Sequence, residues 1–235
     1  MDRALRAYTL ASTMNLGSLD ARAKAAWADC LELYQDTVQQ LNRTMSVSSS
    51  SEDAQTWLSA AIANQETCRN GFVELNLVSN YQFSPFSANN ISESVSNSLA
   101  INKAMAPPVS SRGNRRLLSG GFPEWVSVAD RKLLQSRSVV EANLVVAQDG
   151  SGNYKTISEA VAASAKLRKG STSRFVIYVK AGTYKENVEV TKSMKNLMIV
   201  GDGIDKTIVT GNKNVQDGST TFRSATFGEF LSIVR

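Results

Sequence analysis

Apolar residues recur with two different rhythms along this chain, and the change of rhythm divides it. In the first hundred or so residues the spacing is three and four: Trp27, Cys30, Leu31, Tyr34, Val38 and Leu41 share one helix face. Ala54, Trp57, Leu58, Ala61, Gln65, Cys68, Phe72 and Leu75 define a second such face. The polar run Ser46 to Ser51 separates the two; Ser50 or Ser51 is the expected N-cap, with Glu52 and Asp53 well placed against the helix dipole. A third helix is expected from about Asn90 through Ile91, Val95 and Leu99 to Met105, before Pro107-Pro108. A fourth, with a weaker pattern, runs from Arg3 to Met14. Short connections between amphipathic helices point to an antiparallel four-helix bundle.

Further on, the apolar residues come in short β-branched and aromatic runs. Asn143 to Ala147 is strand-like and leads into the turn Asp149-Gly150-Ser151-Gly152. Tyr154 to Val161 opens a short amphipathic helix, with Thr156 or Ser158 as its cap. Phe175 to Val179 is then followed by Gly182 to Glu186 and by Val188-Glu189-Val190. The pattern returns roughly 21 residues later, with Leu197 to Val200 on the first run, Gly203 on Gly182, Lys206 on Lys185 and Val209 on Val188. Repeated short strands with Gly-bearing turns mark a parallel β-solenoid, of which about two coils fit here. The helix after Tyr154 suits the apolar end of such a stack, and an open edge is expected around Ile208 and Val209.

The two cysteines, Cys30 and Cys68, fall on the inward faces of successive helices, level with each other if these pack antiparallel. They form either a disulfide closing the intervening loop or a pair of buried free thiols. Asn42-Arg43-Thr44 and Asn90-Ile91-Ser92 are glycosylation sequons, which favour the oxidised, secreted alternative. Residues 107–140 read as a linker. It repeats a dibasic pair before two leucines, Arg115-Arg116-Leu117-Leu118 and Arg131-Lys132-Leu133-Leu134, which invites proteolytic processing. The expected organisation is therefore α + β and multidomain: a helical bundle over 1–106, the linker over 107–140 and the first solenoid coils over 141–235.

Composition removes several chemistries. The chain of 235 residues has no histidine, so it holds no Ser-His-Asp or Cys-His nucleophile and no His metal site. Two cysteines make no zinc site alone, and neither metal nor cofactor is expected. The net charge of +5 allows a polyanionic partner, an acidic polysaccharide among them. No stripe of Lys and Arg interleaved with aromatics supports nucleic-acid binding. No apolar run approaches the ~20 residues that cross a bilayer, and Met1 to Tyr8 carries no apolar export segment.

Taken together, "AWADCLELYQDTVQQLN", "DAQTWLSAAIANQETCRNGF", the RRLL/RKLL linker, "VAQDGSGNYKTISEAV", "FVIYVKAGTYKENVEV" and "NLMIVGDGIDKTIVTGNKNVQDGSTTFRSATF" resemble a plant pectinesterase with an N-terminal inhibitor-type domain. The resemblance implies a four-helix inhibitor-type domain followed by a right-handed parallel β-helix, exported to the plant cell wall. It also implies hydrolysis of the methyl esters of homogalacturonan. In the family one Asp is nucleophile, a second is general acid/base, Gln side chains hold the oxyanion and an Arg orients the nucleophile. Those residues lie in motifs like QAVAL, QDTL, DFIFG and LGRPW, none of which occurs here, so no catalytic residue is assigned and no esterase activity is expected of this chain. The first family signature, Gly182-x-Tyr184-x-Glu186, is present and reads as a structural element. Thr221 matches a position at the family's substrate groove. The implied partner is methyl-esterified pectin, and through the helical half a full-length pectinesterase that it would inhibit or escort; a basic polysaccharide-binding stub is a weaker alternative. The resemblance further implies a chain truncated at both ends, without the export signal, the N-terminal hairpin and the later coils.

Overall fold

A computed structural model describes residues 1–46, 49–87, 90–105, 128, 131, 141–168, 173–191, 194 and 196–229. The helices are α1 (Asp2–Thr13), α2 (Ala21–Thr44), α3 (Ser51–Glu74), α4 (Val78–Gln82), α5 (Ile91–Met105), α6 (Ile157–Arg168) and α7 (Thr221–Ser224). The strands are β1 (Leu144–Val146), β2 (Phe175–Val179), β3 (Gly182–Lys185), β4 (Val188–Val190), β5 (Leu197–Gly201), β6 (Thr207–Thr210) and β7 (Phe227–Glu229). The chain is α + β and forms two compact units, Met1–Pro108 with Asn212–Ala225, and Val109–Gly211 with Thr226–Arg235.

The helical unit is organised by α2 and α3, whose apolar faces carry most of its core. Asp20 starts α2 by accepting from the Ala23 amide at 2.7 Å. Of the two serines expected as caps, Ser50 does the work: its hydroxyl accepts from the Asp53 amide at 3.0 Å, and Ser51 is already helical. The end of α3 is set by Asn76 in the left-handed region, φ 59°, with Leu77 N–H donating to the Phe72 carbonyl (2.7 Å) and Asn76 N–H to that of Val73 (3.0 Å). Both bonds satisfy carbonyls that the helix leaves open. Cys30 and Cys68, fully buried, are joined in a disulfide with Cα atoms 4.7 Å apart. Phe86 packs edge-on against Trp27 (5.1 Å between ring centroids) and tilted against Tyr34 (4.9 Å). Helix α4, only five residues long, was too short to announce itself by periodicity. In α5 only Ile91 and Val95 are fully buried, and Met105 at its end is 79% exposed.

Tyr34 donates its hydroxyl to the Phe86 carbonyl at 2.8 Å. Burial, reinforced by nearby Tyr81, pushes its pKa far above the ordinary tyrosine value. The folded protein thus keeps a proton that the unfolded chain releases near pH ~10. Stability is whole below that pH and falls as pH rises beyond it. Tm measured from about pH 8 to about pH 11 should hold and then drop, and Tyr34→Phe should flatten part of the drop. Parallel curves for the two proteins would remove Tyr34 from the account.

The second unit is built of short parallel sheets. β2 lies between β1 and β5, β3 pairs with β6, and β4 with β7, all in parallel register. Their inner side chains, Val146, Ile177, Val179, Tyr184 and Val188, form one core with Ile157, Ala160 and Val161 of α6. The close turn before α6 needs Gly152, since a Cβ there would lie 2.6 Å from the Val145 carbonyl oxygen.

The expected repeat of constant length is corrected by the pairing. Phe175 stands opposite Leu197, an offset of 22, but Gly182 stands opposite Thr207 (25) and Val188 opposite Phe227 (39). Val209 therefore stacks on Tyr184, not on Val188, and Gly203 has no strand partner on Gly182. The physical reason lies in the connections: Lys180-Ala181 joins β2 to β3, whereas Asp202–Lys206 joins β5 to β6, and Gly211–Thr226 separates β6 from β7. Strands keep register through their ladders, so added residues collect at the corners. On β6, Ile208 is 44% exposed, and among the described residues β3 is that strand's only sheet neighbour.

Candidate functional site

Two constellations of charged side chains are built with care. One lies in the helical unit, where residues 212–225 fold against α2 and α3. Asp29 of α2 is 4% exposed, among buried Ala26, Trp27, Cys30 and Leu33. Its Oδ2 accepts from the Thr220 hydroxyl at 2.5 Å and its Oδ1 from Arg223 Nε at 2.8 Å. Arg223 also donates through Nη2 to Glu32, and the Thr221 amide donates to Glu74 Oε2 at 2.9 Å. Burial pulls the Arg223 pKa down, but its hydrogen bond to Asp29 and the charge of Glu32 outweigh it and leave it raised. Thr220 is 1% exposed, and Gly71 of α3 makes room for it: a Cβ at Gly71 would stand 3.3 Å from the Thr220 methyl. Val215 and Phe222 add apolar contact with the helical core.

The other lies in the second unit and explains the Gly182-x-Tyr184-x-Glu186 signature. Glu186 accepts from the amides of Ile157 and Ser158, both at 2.8 Å, and from the Ser158 hydroxyl at 2.5 Å. These amides open α6, so a carboxylate from the strand region caps a helix 29 residues earlier. Of the two caps expected locally, Thr156 accepts from the Glu159 amide at 3.3 Å, while Ser158 is a donor to Glu186 and caps nothing. Tyr184 is buried and donates to the Lys180 carbonyl at 3.0 Å. Asp202 fastens a corner by accepting from the Tyr178 hydroxyl and from the Ala181 amide at 2.5 Å. Asp149 is held below the usual carboxylate range by the Ser151 hydroxyl and amide.

Chemically, Asp29, Glu186 and Asp202 are surrounded by donors, which suits fastening and blunts nucleophilicity. Among the described residues no group of three or more His, Cys, Asp or Glu side chains is placed to hold a metal ion, and no helix is long and apolar enough to cross a membrane. Thr221, expected at a substrate groove, opens α7 and is exposed, its amide on Glu74. Asn42 lies exposed on α2, and Asn90 is exposed with φ 41° just before α5. Of the dibasic residues, Arg131 is half-buried; Arg115, Arg116 and Lys132 lie outside the described residues. The pairing of Asp29 with Arg223, 194 positions apart, escaped sequence reasoning. The signal that could have pointed to it is a carboxylate directly before Cys30, on the buried side of α2.

Comparison with known proteins assigns both halves. Residues 1–101 match the plant invertase/pectin methylesterase inhibitor family, and residues 143–232 match the pectinesterase family. The chain is 50% identical over 258 residues to a probable pectinesterase/pectinesterase inhibitor 6 of Arabidopsis thaliana, covering 97% of this chain and 46% of that protein. It is 48% identical over 228 residues to pectinesterase 2 of Citrus sinensis, covering 96% of this chain and 42% of that one. Among solved structures, pectin methylesterase from carrot shares 59% identity over 39% of this chain and 28% of its own, with a TM-score of 0.36. The chain thus spans less than half the length of these curated relatives.

Proposed function

The chain belongs to the plant pectinesterase/pectinesterase-inhibitor family, and from that premise we propose that its pectinesterase-type part serves the family reaction on methyl-esterified homogalacturonan of the cell wall, with catalytic residues that these 235 do not include. The reaction is hydrolysis: water adds across the ester, the acyl–oxygen bond breaks, and methanol and a carboxylate leave with one proton released. The observation that carries this reading is the order of the two matches along one chain, inhibitor-type over 1–101 and pectinesterase over 143–232. As sequence modules we infer 1–106, a processing linker over 107–140 and 141–235, the last forming early coils of a right-handed parallel β-helix. The parallel registers of its three short sheets support that assignment. Secretion, with Asn42 and Asn90 as glycan acceptors, fits the disulfide in the helical unit.

These 235 residues alone lack the family's carboxylate pair, oxyanion Gln and orienting Arg motifs, and without a nucleophile no covalent route exists. The purified chain is expected to release no methanol from esterified pectin above a protein-free control. Sustained release would overturn that expectation. A second reading, favoured by the inhibitor-type match, is that the helical unit binds and inhibits a full-length pectinesterase. The same assay with an active pectinesterase added tests it: a dose-dependent fall in methanol supports inhibition, and an unchanged rate rejects it.

A further inference from the structure

We propose that the cavity between the turn over 149–153 and the outer face of α6 is a carbohydrate site that takes a de-esterified uronate oligosaccharide, the acidic product of the family reaction. The inference rests on the family reading above, but it concerns a place apart from Thr221 and from any reacting group. The cavity, of about 540 Å³, lies wholly within the second unit.

Helix α6 carries two stripes at the three/four spacing. Ile157, Ala160, Val161 and Ser164 are buried in the core, while Glu159, Ala162, Ala163 and Lys166 line the cavity. The two alanines leave a trough, with Glu159 at one end and Lys166 two turns, about 10 Å, further along. Tyr154 is its wall: the backbone is pinned to β1, accepting from the Ala147 amide at 2.9 Å and donating to the Val145 carbonyl at 3.3 Å, and the side chain packs against the core. A held, half-buried aromatic beside a trough suits the apolar C–H face of a sugar ring. Asn153 Oδ1 accepts from the Val145 amide at 2.8 Å, which leaves Nδ2 to donate to a hydroxyl. Lys155 is laid against the turn, its Cε 3.7 Å from where a Cβ would stand on Gly150, itself at φ 82°. The neighbouring Asp149 and Lys180 are both engaged on the Ser151 hydroxyl. Lys155 and Lys166 form no ion pair among the described residues, so two ammonium groups face one carboxylate in the cavity. A uronate carboxylate meets that charge, whereas its methyl ester does not, and the site thereby separates product from substrate.

The test uses the full chain and reads binding by titration calorimetry, with a de-esterified oligogalacturonate and its fully methyl-esterified counterpart as probes. The wild-type chain should prefer the de-esterified probe by about tenfold or more. Lys155→Ala combined with Lys166→Ala should weaken its binding by about tenfold. Ala162→Trp fills the trough without altering charge and should weaken it by a similar factor. Lys103→Ala on α5 removes a charge outside the cavity and should change nothing. All four positions are exposed, so the variants should keep the wild-type dichroism, and the lysine pair decides if the tryptophan variant fails to fold. Undiminished binding in the folded cavity variants overturns the site and leaves the family reading standing. So does an absence of binding to either probe, or equal binding of both. Polyglutamate binding as tightly as oligogalacturonate would reduce the cavity to a general anion patch, which overturns the uronate assignment and counts against the family reading as well.

Discussion

Replacing Cys30 and Cys68 together by alanine should lower the unfolding free energy of the helical unit by about 4 kcal/mol. The bridge closes a loop with a sequence separation of 38, and chain entropy lost from the unfolded state scales with the logarithm of that length. Both residues are fully buried where α2 meets α3, so the substitution also removes sulfur atoms from a packed interior. That part is smaller, because alanine fills most of the space. Equilibrium denaturation followed by far-ultraviolet dichroism measures the change as a shift of the midpoint. Wild type in reductant should move nearly as far as the double variant. A loss below about 1 kcal/mol would mean that residual structure in the unfolded chain already holds the two helices together.

The second large effect is expected at Glu186. Its carboxylate accepts three hydrogen bonds at the start of α6, two of them from backbone amides that have no partner inside the helix. Glu186→Ala should cost about 2–3 kcal/mol, the upper end for a cap, because the site is partly buried and the acceptor charged. Glu186→Gln keeps one acceptor oxygen and should cost about half as much. Hydrogen exchange along α6 is the direct readout, with a rise of about thirtyfold for alanine. If α6 stays protected in both variants, Thr156 and the buried face of Ile157, Ala160 and Val161 suffice to hold the helix.

Legibility of the fold in the sequence followed the range of the interactions. Helices α2 and α3 could be read from their spacing because each buries one continuous face, and Ser50 because a cap acts within one turn. The strands could be read as runs, but their partners could not. Register here depends on how many residues fill each corner, and the constant repeat failed because Asp202–Lys206 is longer than Lys180-Ala181. The cap of α6 was sought at Thr156 and Ser158, where local rules look, while the stronger acceptor comes from Glu186. Of the site, the Gly182-x-Tyr184-x-Glu186 signature was visible as structural, though not what it holds. Asp29 was missed altogether, since nothing local names Arg223 as its partner.

The fastening of residues 220–223 onto α2 also sets an order in time. During synthesis Asp29 emerges 194 residues before Arg223, an interval on the order of 10–40 s at ordinary translation rates. Throughout it, the helices fold with a carboxylate in their interior still awaiting its counterion. The helical unit is therefore completed only when residues 220–223, made well after its helices, close on Asp29.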